Sequence, residues 1–158
     1  MENGKWKVQS KLKVQRLTCY LLFHFLLFYF STLGVVTAQA AATSVWAGVY
    51  TEEQGKRGEK IYYERCAACH GSQLEGGDMT PTLVGGVFTS TWNDLPLSDL
   101  FERIRITMPL NQPSTLSRQQ TADVTAFLLK SNNWPAGQTE LPRELEPLKE
   151  IQIQALKP

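Results

Sequence analysis

Histidine and cysteine are scarce in this 158-residue chain, with two of the first and three of the second. A structural zinc site needs four ligands, and the Cys66/Cys69 pair supplies only two. His70 adjoins Cys69 too closely to serve as a comfortable third, and Cys19 and His24 fall in a leader described below. No basic patch is present, which argues against nucleic acid as a partner. Neither an internal repeat nor a low-complexity tract occurs, so repeat architectures are excluded. Beyond residue 40 no run alternates apolar and polar residues convincingly, which leaves an all-α body with a loop-rich middle.

Charge and hydropathy are concentrated at the start. Lys5, Lys7, Lys11, Lys13 and Arg16 form a basic front against one acid, Glu2. An apolar run from Leu17 to Phe30, broken only by Thr18 and His24, continues more weakly to Val36. Ala38-Gln39-Ala40 then supplies the small-x-small pattern that signal peptidase accepts, so residues 1–40 are expected to be a signal peptide and the mature protein periplasmic. The competing reading is an uncleaved anchor, because 17–36 is just long enough to cross a bilayer. Cleavage after Ala40 removes five of 16 basic residues and one of 15 acids, leaving 11 against 14 and a mildly acidic mature chain. Its 118 residues suit one domain with limited apolar surface to bury.

Against this sparse background, Cys66-Ala67-Ala68-Cys69-His70 carries the chemistry. Two thiols three residues apart, with an imidazole directly after the second, have the spacing that attaches haem c. The thiols add across two vinyl groups, and the following imidazole falls beneath the iron. A thioredoxin-like pair would need a strand-then-helix setting, and a plain Cys66–Cys69 disulfide is the remaining competitor. One covalent haem c is the expected cofactor.

Local signals place this motif. Thr51-Glu52-Glu53-Gln54 has the pattern of a capping box, predicting a helix to about Arg65 with Gly58, Ile61, Tyr62 and Arg65 on one face. A glycine on such a face anticipates close approach of another backbone. Ser117-Arg118-Gln119-Gln120 repeats the box before a helix to about Lys130, with Thr121, Val124, Phe127 and Leu128 facing inward, stopped by Asn132, Asn133 and Pro135. A shorter helix is predicted from an N-cap at Ser98 to Ile106. Gly71 to Trp92 has the composition of a long loop.

A haem with two protein ligands shuttles electrons, whereas one with a single ligand binds gases and peroxide. Beyond the leader only Met79 and Met108 are available besides His70. Met108, 38 residues past His70, is the expected second iron ligand; Met79, nine residues past, has a short tether to the far face. The plain alternative for Met108 is a core-filling thioether. The main-chain oxygen of Pro81 is the candidate acceptor for the other His70 nitrogen. Trp92, Arg103 and Arg105 are candidates for the haem propionates.

Taken in order, these motifs resemble the class I Met/His-ligated cytochromes c over residues 50–135. Gly58 to Tyr62 leading into the haem motif resembles that family's first helix. Pro81-Thr82-Leu83-Val84-Gly85 is similar to its Pro-x-Leu-x-Gly loop, Met108-Pro109 to its axial methionine, and Asp123 to Leu128 to its last helix. The resemblance implies about three main helices wrapped around one haem, bound by Cys66, Cys69, His70, Pro81 and Met108, with His70 and Met108 on the iron. Trp46 to Tyr50, Asn133 to Gly137 and Glu140-Leu141-Pro142 are similar to exported cytochromes that accompany PQQ-dependent dehydrogenases. The resemblance thus implies an electron carrier, not an enzyme. It would take electrons from a periplasmic quinoprotein donor and pass them toward an oxidase or another cytochrome of the respiratory chain. Two rivals stay open: a peroxidase or gas sensor with an open sixth position, and a permanently bound subunit of a dehydrogenase or oxidase. Residues 136–158 are expected to be an arm that packs on the domain or straps a partner.

Overall fold

The computed structural model of the protein describes residues 43–157 and, before them, His24. The expected leader, its anchor alternative and Cys19 lie outside the described residues. Six helices carry nearly all the regular structure of the described part: α1 (Glu52–Arg65), α2 (Ala67–His70), α3 (Gly85–Trp92), α4 (Leu97–Thr107), α5 (Arg118–Ser131) and α6 (Leu145–Lys149). The fold is all-α, with α1, α4 and α5 as its three main helices. A two-residue parallel pair joins β1 (Thr43–Ser44) to β2 (Ile151–Gln152). Among the described residues no helix is long and apolar enough to cross a membrane.

Helices α1 and α5 pack against each other, and small residues set how closely. A Cβ on Gly58 would lie 1.8 Å from the Asp123 carbonyl oxygen. The backbones therefore meet there, as the glycine on that face anticipates. Next to the crossing, Arg57 makes two bonds to Asp123 (3.1 and 3.0 Å) and one to Glu140 (2.8 Å). The buried face of α1 is Gln54, Gly55, Gly58 and Tyr62, whereas Arg65 turns outward to Gln112 and Thr115. Burying a guanidinium without a carboxylate beside it would cost more than the helix periodicity gains.

Both caps form, but differently. Ser117 and Gln120 complete a reciprocal box at α5. At α1 only half is made: Thr51 Oγ1 accepts from the Gln54 amide at 3.2 Å. The Gln54 carboxamide instead donates to Leu141 O at 3.1 Å and accepts from Leu141 N–H at 2.6 Å. This buried pair of bonds fixes the start of the C-terminal arm on α1. Leu141, Leu148, Ile151 and Ile153 of that arm are all buried. Gln54→Ala is expected to lower unfolding free energy by about 2–3 kcal/mol, because two buried main-chain groups lose their partner. Denaturant melts check the loss, and faster limited proteolysis near residue 141 checks that it is the arm that loosens.

Two further sequence expectations need correction. Helix α4 begins at Leu97 with Pro96 as its N-cap residue, and Ser98 lies inside it, buried. Proline fixes the extended conformation an N-cap position wants, so the serine is not needed there. The stretch 71–92 is not all loop, since its last eight residues form α3. That helix has poor intrinsic propensity, with two glycines and two threonines. Burial of Phe88, and a bond from Gly85 N–H to Asn132 Oδ1 at 3.0 Å, hold it from outside.

Candidate haem site

The end of α1 runs through Cys66 directly into the single turn of α2, which places Cys69 and His70 together one turn after Cys66. The amides of Cys69 and His70 both donate to Cys66 O, at 3.1 and 3.0 Å. Both thiols are unbridged, Cys66 half-buried and Cys69 exposed. Burial pushes the Cys66 thiol up to about 11; Arg65 opposes the shift and Cys69 adds to it. Redox-active and zinc-binding cysteines need the opposite, a thiol pulled down toward thiolate. Among the described residues, no group of three or more His, Cys, Asp and Glu side chains could hold a bare metal ion.

His70 is buried, and its Nδ1 lies 3.0 Å from Pro81 O. A carbonyl can only accept, so Nδ1 carries the proton and Nε2 is left as the basic nitrogen. The loop between them is fastened at several points. Gly76 N–H donates to His70 O at 2.8 Å, Thr80 Oγ1 to Cys69 O at 2.7 Å, and Leu83 N–H to Leu74 O at 2.8 Å. Tyr62, buried against Phe127 with ring centres 5.2 Å apart, donates its hydroxyl to Gly71 O at 2.6 Å. Gly71 itself has φ +81°, and a Cβ there would strike the Glu75 carboxylate at 2.1 Å. The turn after His70 therefore requires glycine.

Met108 ends α4, its N–H on Ile104 O at 3.0 Å, half-buried and followed by buried Pro109. Cys66, Ala67, Leu83, Val84, Trp92 and Met108 all pack on the one apolar core while keeping part of their surface outside it. Met79 is 95% exposed. Of the residues considered for propionates, Arg105 is already paired with Glu102 in its own helix, and Trp92 packs against Phe88. Arg103 is exposed.

These residues fit haem c. Two unbridged thiols precede a histidine whose Nδ1 faces the Pro81 carbonyl, and a partly exposed thioether packs on the same apolar core as Cys66. At Gly85 and Gly86, where α3 begins, an added Cβ would meet nothing within 4 Å. Residues missed by sequence reasoning are Tyr62 through its hydroxyl, Thr80, and Asn132, whose side chain donates to Leu83 O at 2.9 Å. Asn132 carried a signal only as a helix stop.

The helical frame and a Cys-x-x-Cys-His turn seated on a proline carbonyl define a class I-type c cytochrome domain. Residues 53–128 match the family described as Cytochrome C oxidase, cbb3-type, subunit III. Among solved structures, the sulfane dehydrogenase SoxCD from Paracoccus pantotrophus is similar, at 29% identity over 57% of this chain and 54% of that chain, with a TM-score of 0.44. The chain thus spans about half the length of that structure's chain. No curated protein matches it.

Proposed function

We propose that the protein is an exported monohaem c-type cytochrome that carries single electrons between proteins of the periplasm. The observation that carries this reading is the His70 imidazole, held by Pro81 O at 3.0 Å with Nε2 basic, one residue from an unbridged thiol. Haem bound here supplies a one-electron couple at iron. Cys66 and Cys69 would hold it by thioether bonds, His70 Nε2 and the Met108 thioether would ligate its iron, and the Pro81 carbonyl would keep the imidazole from turning. A soft thioether ligand would favour the reduced state and give a higher potential than a second histidine. In this reading the chain transfers electrons between proteins, and no substrate is chemically changed on it.

Mass spectrometry of the natively secreted protein tests this directly. The expected spectrum shows a haem-sized increment and an N-terminus at Ala41, with pigment that stays on the polypeptide in acidified acetone. A colourless product, or one that sheds its pigment, overturns the haem reading; an intact leader overturns cleavage alone.

The proposed donor is a PQQ-dependent alcohol or sugar dehydrogenase, supported by the similarity of residues 46–50, 133–137 and 140–142 to cytochromes that accompany such enzymes. Reduction of the purified protein by a quinoprotein dehydrogenase checks it, and no exchange with any such donor removes the partner. A second reading, a permanently bound oxidoreductase subunit, is favoured by the oxidase-subunit description of the matching family. Co-elution with a large partner from native extract would select it. Against it, the arm that would grip such a partner has Leu141, Leu148, Ile151 and Ile153 buried on its own domain.

A further inference from the structure

The carboxamide of Asn132 joins the end of α5 to the segment that carries Pro81. Its Nδ2 donates to Leu83 O and Leu128 O, both at 2.9 Å, and its Oδ1 accepts from Gly85 N–H at 3.0 Å. One side chain therefore grips the loop on both sides of Val84, starting at Leu83, two residues past the carbonyl that meets His70 Nδ1. Pro81 cannot hold itself there. It has no N–H to donate, and its ring is exposed. Its carbonyl is placed by what flanks it: Thr80 Oγ1 on Cys69 O at 2.7 Å upstream, and the Asn132 bonds with Leu83 N–H on Leu74 O at 2.8 Å downstream.

We propose that Asn132 is a positioning residue for the axial imidazole, acting through Leu83, Gly85 and the Pro81 carbonyl. This rests on the haem reading above. A carbonyl accepting from Nδ1 raises the basicity of Nε2 and fixes the ring plane. A more basic imidazole donates more density and favours the oxidised iron. Loosening the loop weakens that bond, so the imidazole becomes a poorer donor and the midpoint potential rises. The bland account is that Asn132 only caps α5, and that account predicts a stability loss with no change at His70.

The test uses the haem-loaded protein and three variants. Asn132→Ala removes all three bonds. Asn132→Asp keeps the acceptor for Gly85 N–H and replaces the donor facing Leu83 O with an oxygen. Ser131→Ala is the control, because Ser131 Oγ donates only to Phe127 O within the same helix. Three quantities are read: unfolding midpoint, redox midpoint, and the solvent-exchange rate of the His70 Nδ1 proton by NMR of the reduced protein. Both Asn132 variants are expected to raise the potential and to speed Nδ1 exchange roughly three- to tenfold, the scale of one or two lost hydrogen bonds. Ser131→Ala should move only the unfolding midpoint. Asn132 variants that melt earlier but keep the wild-type potential and exchange rate overturn the proposal. If neither folds, the wild type decides in mild denaturant. The Asn132 side-chain protons and His70 Nδ1–H must then lose protection in one step, and separate openings overturn the link. Failure of the haem reading is distinguishable, because the wild type would then carry no covalent pigment.

Discussion

Gly58→Ala is expected to destabilise the domain by about 3 kcal/mol or more, while Gly55→Ala, one turn earlier on the same buried face, is expected to be neutral or stabilising. Both substitutions gain helix propensity, worth roughly 1 kcal/mol for glycine to alanine. What differs is the neighbour. At Gly58 the new methyl would sit 1.8 Å from Asp123 O and 2.4 Å from its carbonyl carbon. Those are backbone atoms inside α5, and α5 cannot retreat without carrying Val124, Phe127 and the Arg57–Asp123 pair with it. Overpacking typically costs about 1–3 kcal/mol even where side chains can shift, so a rigid neighbour places Gly58 at or beyond the top of that range. At Gly55 the nearest atom is Lys130 Cδ at 3.3 Å, on a flexible side chain able to move by a few tenths of an ångström. Denaturant melts of the two variants decide it. Equal midpoints would mean that α1 and α5 do not cross at Gly58.

How much of this was legible in the sequence depends on how local each signal is. The two helix starts and the Gly58 crossing are signalled by residues a few positions apart, and the structure has them where the sequence puts them. The Cys66 to His70 motif is equally local, and Pro81 O lies 3.0 Å from His70 Nδ1, where the sequence predicts an acceptor for that nitrogen. What was not legible is what distant residues do for each other. Helix α3 looks like a loop because Gly85, Gly86, Thr89 and Thr91 favour none, and only Phe88 burial and the Asn132 clasp make it helical. Gln54 looks like half of a capping box because its partner, Leu141, is 87 residues away.

The three strings that carried the quinoprotein similarity turn out to share one physical task. Trp46 and Trp134 lie edge to face with ring centres 6.5 Å apart, and both indoles donate to Gln154 O at 2.9 Å. Tyr50 donates to Trp134 O at 2.7 Å, and its own carbonyl accepts from Gly137 N–H at 2.6 Å. A Cβ on Gly137 would lie 1.9 Å from Gly48 O, so those backbones also touch. Leu141 is the residue gripped by Gln54. These strings meet at the seam between the two ends of the domain, where Tyr50, Trp134 and Leu141 are buried. The contacts they make are internal to the domain, so the partner has to be sought by electron exchange.

Met108→His is expected to lower the midpoint potential by on the order of tenths of a volt, axial ligand identity commanding roughly 0.8 V across haem proteins. The direction follows from softness: thioether sulfur stabilises the reduced iron, and imidazole nitrogen favours the oxidised one. Burial favours this methionine over Met79. Met108 is half-buried and packs against the same apolar core as Cys66, Leu83 and Val84. It is also anchored on both sides, by its N–H on Ile104 O at 3.0 Å and by Gln112 N–H on Pro109 O at 2.9 Å. Met79 differs in exposure: it is 95% exposed, at the tip of the turn that Gly77 and Thr80 close with paired main-chain bonds. Met79→His therefore serves as the matched control and should leave the potential where it was. The oxidised wild type should show the near-infrared sulfur-to-iron band, Met108→His should abolish it, and Met79→His should keep it. A potential that does not fall in Met108→His removes Met108 from the iron. If the band then vanishes in Met79→His, the ligand is Met79; if the wild type never shows it, the sixth position is open and the peroxidase or gas-binding reading replaces electron transfer.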